Sequence, residues 1–263
     1  MNLDQQFAVP ENVATAVVER WAAVGASWLD ATPHEFVDLC RSFDAEPETV
    51  FAARFGFVVA VIGGSRALVM KSTPDPDGRL QAQAAVGLAA VGVGPAVHEV
   101  IDSTGTWTIM DRVRPGTPVV NPNIDQVAEL LRPLATTSGR KSDLPPLSDW
   151  LRARLQDSAL KEIPPWLTVA PEAVRDTALA LLDDLESEHG DGLCHGDCSV
   201  GNVLEGPTGL ALIDPRGKSG DVAYDVGVVA FKRGFDVRRL ARLVGVDPDR
   251  AAAWARVADA ARV

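Results

Sequence analysis

The sequence predicts an α+β chain in two parts, an antiparallel sheet with helices first and mainly helices after. Three observations carry this. Short β-favouring runs cluster between residues 50 and 113, apolar residues take helical spacing beyond 123, and Arg114-Pro-Gly-Thr-Pro118 breaks the pattern between them. The expected domains are 1–113 and 114–263. At 263 residues the chain is long enough for one large domain or two small lobes sharing a cleft, and 46% hydrophobic residues supply a packed core.

Each element has its own signal. Val13, Val17, Val18, Trp21, Val24 and Trp28 form a helical stripe over residues 11 to 29. Thr32-Pro-His-Glu35 predicts the start of a second helix, with Thr32 as cap, Pro33 at the first helical position and Glu35 closing a capping box. Strands are expected over 50–55, 57–62 and 67–71, with Gly63-Gly64 as a hairpin turn between the last two. After the turn-rich Thr73-Pro-Asp-Pro-Asp-Gly78, an Ala- and Gln-rich helix runs from about 79 to 90. Strands over 96–101 and 107–113 complete the sheet. Helices follow near 123–138, 147–160, 171–189, 221–233, 236–244 and 248–262, interrupted by a loop and a short hairpin around Gly206-Pro-Thr-Gly209.

Charge and composition exclude several function classes. Net charge is −11 and the isoelectric point about 4.8, which opposes binding to nucleic acid or to anionic membranes. The same acidity suits a cationic small substrate, and general solubility explains it equally well. No apolar run reaches the roughly 18 residues a membrane helix needs. The N-terminus has no basic region followed by an apolar stretch, so no secretory signal is expected. Three cysteines, Cys40, Cys194 and Cys198, fit a reduced, cytoplasmic protein. Cys194-His195-x-x-Cys198 lacks the second ligand pair that a zinc site takes from a separate segment.

The chemistry concentrates in Leu193-Cys-His-Gly-Asp-Cys-Ser-Val-Gly-Asn-Val-Leu204 and Leu212-Ile-Asp-Pro-Arg-Gly217. Asp197 and Asn202 stand five residues apart, and Asp214 follows twelve residues later after an apolar run. Metal-assisted phosphoryl transfer needs this pattern: Asp197 to orient the attacking hydroxyl, Asn202 and Asp214 as hard oxygen ligands holding Mg²⁺ against ATP. Lys71 ends an apolar strand and can reach the phosphates as a point charge. The bland alternatives are a turn aspartate, a strand-terminal turn and an edge-strand lysine. The helix after Lys71 holds Gln81 and Gln83 and no acid, so the lysine lacks the glutamate partner usual in kinases. His195 is expected to brace the loop, and His34, His98 and His189 to have no supporting partners. Neither a phosphate-binding P-loop nor Gly-x-Gly-x-x-Gly is present.

With these residues assembled, the chain resembles the aminoglycoside phosphotransferase family, in its streptomycin 6-kinase and hydroxyurea phosphotransferase branch. The resemblance includes Thr73-Pro-Asp-Pro-Asp77, Met110-Asp-Arg-Val-Arg-Pro-Gly116, His195-Gly-Asp-x-x-x-x-Asn202, Ile213-Asp-Pro-Arg-Gly217 and Gly220-Asp-Val-Ala-Tyr-Asp225. It implies a protein-kinase-like, two-lobed fold and an aminoglycoside such as streptomycin as the phosphate acceptor. Asp197 would be the catalytic base, Asn202 and Asp214 the Mg²⁺ ligands, and Lys71 the phosphate contact. Gln81 stands where the family has the lysine's glutamate. The connector at Asp111, Arg112 and Val113 would offer backbone groups to adenine, and Asp225 would brace the catalytic loop. Two alternatives stay open: a kinase of another small metabolite, and an impaired nucleotide-binding pseudokinase. The oligomeric state is not legible.

Overall fold

The computed structural model describes residues 7–137, 142–159, 163, 167–188 and 192–263. His189 and the helix ends expected at 138, 160 and 189 lie outside the described residues. The chain forms two compact units, one of residues 1–82 and 95–112, the other of residues 83–94 and 113–263. Residues 83–94, which the sequence assigns to the first part, thus group with the second.

The first unit starts with α1 (Glu11–Ser42) and continues into β1 (Ala45–Val50), β2 (Phe57–Gly63), β3 (Arg66–Thr73), β4 (Val97–Asp102) and β5 (Thr106–Asp111). These strands form one antiparallel sheet in the order β1-β2-β3-β5-β4. The first strand lies at 45–50, where 50–55 was expected. Glu46, Pro47 and Glu48 are poor strand formers, tolerated because β1 is an edge strand with a register shift between Pro47 and Thr49. The β2–β3 turn is the expected one: Gly63 pairs with Arg66, and Gly64 takes a left-handed φ of 59°.

The break in α1 also departs from the sequence reading. It falls at Ala22 (φ 45°, ψ −116°), and Pro33 lies inside the helix. A Cβ on Gly25 would stand 2.6 Å from the Val17 carbonyl oxygen, so the two segments meet too closely for any other residue there. Thr32 does not cap. Its hydroxyl donates to the Trp28 carbonyl at 2.6 Å, within the helix. Glu35 closes no capping box either. Its carboxylate accepts from the Trp107 indole N–H (2.7 Å), the Ser103 hydroxyl (2.9 Å) and the Thr104 hydroxyl (2.8 Å), fastening α1 to the β4–β5 turn. The same helix buries Trp28 and Phe36 against Phe57 and Trp107. Phe36 meets Phe57 edge-on at 5.4 Å and stacks on Trp107 at 6.3 Å.

Burial opposes charge on Glu35, but its hydrogen bonds from Trp107, Thr104 and Ser103 outweigh that and hold its pKa below the ordinary carboxylate value. The stabilisation it gives is therefore present above the ordinary range and is lost as acid takes the pH below it. Glu35→Ala leaves the Trp107 N–H unpaired, and the expected loss is about 1–3 kcal/mol, read from urea unfolding.

The helix α2 (Gly78–Ala90) precedes β4, and its last turns join the second unit through Leu88 and the following Val93. That unit adds α3 (Ile124–Ala135), α4 (Leu147–Gln156), α5 (Glu172–Glu188), α6 (Val222–Arg233), α7 (Val237–Val244) and α8 (Pro248–Ala260). Between α5 and α6 lie four short strands, β6 (Gly192–Leu193), β7 (Val203–Glu205), β8 (Leu210–Leu212) and β9 (Ser219–Gly220). β6 pairs with β9 and β7 with β8, both antiparallel.

Local chemistry explains the helix boundaries. Asn123 and Gln126 form a full capping box on α3. Asp221, Asp236 and Asp247 cap α6, α7 and α8, and Gly234 and Gly245 end α6 and α7 in left-handed conformations. The helix α6 is buried continuously from Val222 to Ala230, so it is the central post of this unit. Its Gly227 packs on α8, where a Cβ would come within 2.7 Å of the Ala251 carbonyl oxygen. No described helix is long and apolar enough to cross a membrane.

Candidate active site

The loop after β6 is held from below by α6. Asp225 is fully buried, and its two carboxylate oxygens accept the backbone N–H groups of His195 (2.8 Å) and Gly196 (2.9 Å). The Cys198 thiol hydrogen-bonds the same carboxylate. Burial pushes the pKa of Asp225 up, against the opposing pull of His195 and of these donors. His195 is buried as well and acts as a brace. Its Nε2 bonds the Ile213 carbonyl oxygen at 2.8 Å, and its Nδ1 accepts the Asp197 N–H at 3.2 Å. Gly196 stands at φ 77°, the left-handed region that a glycine enters freely.

These anchors present Asp197 as a partly exposed carboxylate beside two cations. Arg216 Nη2 donates to Oδ2 at 3.3 Å, and Lys232 Nζ lies 3.7 Å from Oδ1. The Arg216 guanidinium is itself fixed: Nε donates to the Gly196 carbonyl (3.2 Å), and the group lies over the Trp150 ring at 3.9 Å.

Asn202 closes the loop. Its Nδ2 donates to the Asp197 carbonyl at 2.9 Å, so Oδ1 is the atom of the amide that could hold a cation. The Asn202 carbonyl accepts the Ile213 N–H at 3.0 Å, extending the β7–β8 ladder, and Arg216 N–H donates to the His195 carbonyl at 2.9 Å. Residues 213–216 therefore run alongside the loop, and Asp214 stands at the same end of the hairpin as Asn202. Asp214 has a φ of 59°. A non-glycine residue in that region costs about 1–2 kcal/mol, and such strain gathers where a side chain must be aimed. The set of two carboxylates and one amide oxygen matches the hard donors Mg²⁺ takes.

The second unit thus brings Asp197, Asn202 and Asp214 together, and Val113 opens its long segment. Lys71, Gln81 and Asp111 belong to the first unit. Lys71 lies in β3 between Val58 of β2 and Thr108 of β5 and is half-buried. The amide nitrogen of Gln81 donates to Asp75 Oδ2 at 3.1 Å, and Asp75 Oδ1 accepts the Asp77 N–H at 2.9 Å. Asp111 N–H donates to the Ala96 carbonyl and Arg112 N–H to that of Ala67, so these two connector donors are engaged by the sheet. His98, expected to have no partner, meets Asp111 Oδ1 at 2.6 Å.

Sequence reasoning gave no role to Arg216, Lys232 or Arg233. Arg216 was visible inside the Asp214-Pro-Arg-Gly run. Lys232 carried a usable signal: it follows Asp225 by seven residues, two helical turns, which puts both on one face of α6. Cys194 and Cys198 are fully buried, and burial raises their thiol pKa values well above the ordinary range, so both stay protonated.

The sheet, the helical unit and this loop together define a kinase-like α+β fold. The chain belongs to the phosphotransferase enzyme family, whose family model matches residues 48–259. A hydroxyurea phosphotransferase of Kitasatospora aureofaciens is 38% identical over 88 residues, 31% of this chain and 26% of that protein. The match therefore spans about a quarter of the relative's length. Among solved structures, a choline/ethanolamine kinase family protein from Mesorhizobium loti superposes with a TM-score of 0.64 at 16% identity, covering 88% of this chain and 83% of that one. An aminoglycoside-3'-phosphotransferase of type VIII gives a TM-score of 0.56 at 21% identity, covering 87% and 99%.

Proposed function

We propose that the protein is an ATP- and Mg²⁺-dependent phosphotransferase acting on a hydroxyl group of a small molecule. The observation that carries this reading is the Asp197–Asn202 loop, clamped by buried Asp225 and flanked by Asp214. Asp197 orients the acceptor hydroxyl and takes up its proton as the phosphoryl group arrives. Asn202 Oδ1 and the Asp214 carboxylate would hold Mg²⁺, which when bound neutralises charge on the phosphates. In the same reading residues 1–113 form the nucleotide-binding lobe and residues 114–263 the catalytic lobe. Lys71 contacts the phosphates, with Gln81 on the following helix, and backbone groups of Asp111 and Val113 receive adenine. Three buried free thiols, Cys40, Cys194 and Cys198, support a reduced, cytoplasmic setting.

The resemblance implies an aminoglycoside such as streptomycin as acceptor, whereas the cations beside Asp197 favour the opposite charge. One observation supports a weaker enzyme or a nucleotide-binding pseudokinase: the Gln81 amide, which carries no charge, is bonded to Asp75. The test is ADP release from Mg·ATP with streptomycin, other aminoglycosides, hydroxyurea, choline, ethanolamine and common hydroxylated metabolites. Acceptor-dependent release that EDTA abolishes is expected. Calorimetric binding of Mg·ATP without release on any acceptor would instead establish the pseudokinase.

A further inference from the structure

The second unit carries a cavity of about 340 Å³ lined by Val120, Asn121, Pro122, Lys232, Arg233 and Phe235. Its lining holds two cations, one amide and apolar surface, and no acid. Lys232 joins it to the catalytic loop, because its ammonium lies 3.7 Å from Asp197 Oδ1 and its side chain is only 22% exposed. Arg233 is pinned at one end: Nη1 donates to the carbonyls of Val119 (2.7 Å) and Val120 (3.0 Å). Among the described residues, its Nε and Nη2 are buried with no hydrogen-bond partner. A buried guanidinium edge with two unspent donors is unfavourable by itself, and an anion removes that penalty by accepting both hydrogen bonds. The volume stands at the small end of the roughly 300–1,000 Å³ of ligand pockets.

We infer that the acceptor is a small anionic alcohol, whose carboxylate or phosphate is held by Lys232 and Arg233 while its hydroxyl lies at Asp197. This rests on the phosphotransferase reading of Asp197. In the transfer, the hydroxyl oxygen bonds the γ-phosphorus of ATP, the bond to the β–γ bridging oxygen breaks, the hydroxyl proton passes to Asp197, and ADP leaves with the bonding pair.

The test compares acceptors of three charges at saturating Mg·ATP: glycerate, gluconate and glycerol 3-phosphate; glycerol and glucose; choline, ethanolamine and streptomycin. ADP release and calorimetric binding are both read, for the wild type, Lys232→Gln and Arg233→Gln. Glycerate and gluconate against glycerol 3-phosphate distinguish a carboxylate from a phosphate. Release with the anionic set is expected, with the acceptor KM raised roughly ten- to hundredfold in each variant, as loss of a charged hydrogen bond gives. The KM for ATP should stay within about twofold of the wild type, a split that a merely structural role would not produce. Turnover confined to neutral or cationic acceptors overturns the inference and leaves the phosphotransferase standing. A variant that raises the KM for ATP instead assigns the cation to the nucleotide and also overturns it. Anion binding with no ADP release from any acceptor sinks both readings, and no anion binding at millimolar concentration sinks the inference alone.

Discussion

Asp197→Asn should lower kcat by roughly 10²–10⁴, the usual contribution of a positioned general base, and should leave the fold almost untouched. Asparagine keeps the shape and one acceptor oxygen for Arg216, so the loop loses a charge and little else. Arg216 does not depend on that charge for its position, because the Gly196 carbonyl and the Trp150 ring hold it independently. The Lys232 contact at 3.7 Å joins partly exposed groups, and such pairs contribute about 0–1 kcal/mol. The expected signature is therefore a collapse in turnover with the melting temperature within a few degrees of the wild type. Single-turnover ADP formation with an acceptor from the panel, read beside thermal unfolding, checks both halves. Undiminished turnover in Asp197→Asn would remove the base from the mechanism and leave the loop as a structural turn.

What the sequence revealed follows from which interactions are local. β2 and β3 were legible because Val58-Val-Ala-Val-Ile62 and Leu68-Val-Met70 are β-favouring, and Gly64 marks their turn. β1 was not, because Glu46, Pro47 and Glu48 argue against a strand and only pairing with β2 makes one. The break at Ala22 was hidden for a similar reason: alanine is the best helix former, and the chain turns there because Val17 and Gly25 pack together. Thr32 and Glu35 have the spacing of a capping box, but the distant Trp107 indole claims the carboxylate. In the site, the spacing of Asp197, Asn202 and Asp214 was readable because one loop and one hairpin bring them together. Lys232 and Arg233 come from a helix end thirty residues after Asn202; only the seven-residue spacing from Asp225 marks Lys232 as facing the loop, and nothing local marks Arg233.

Asp225→Ala should have the largest effect on both stability and activity. The side chain is fully buried and is the acceptor for two buried backbone N–H groups, those of His195 and Gly196. Each N–H left without a partner costs about 1–3 kcal/mol, so the variant should lose roughly 2–6 kcal/mol, a large part of the 5–15 kcal/mol typical of a folded domain. Asp225→Asn separates the two roles. The amide keeps one acceptor oxygen, and its NH₂ faces the other N–H, so one anchor is lost while the volume is kept. Activity should then fall more steeply than stability, because Asp197 directly follows the released residues. The pH dependence supplies a further check. Burial raises the pKa of Asp225, so the fold favours its protonated form. The carboxyl's contribution to stability is thus fullest below the ordinary carboxylate range and is lost as pH rises through the raised value. The stability advantage of wild type over Asp225→Asn should shrink accordingly as pH rises above the ordinary carboxylate range, measured by urea unfolding at intervals of pH. An Asp225→Ala protein as stable and as active as the wild type would show that the loop holds its shape without the clamp.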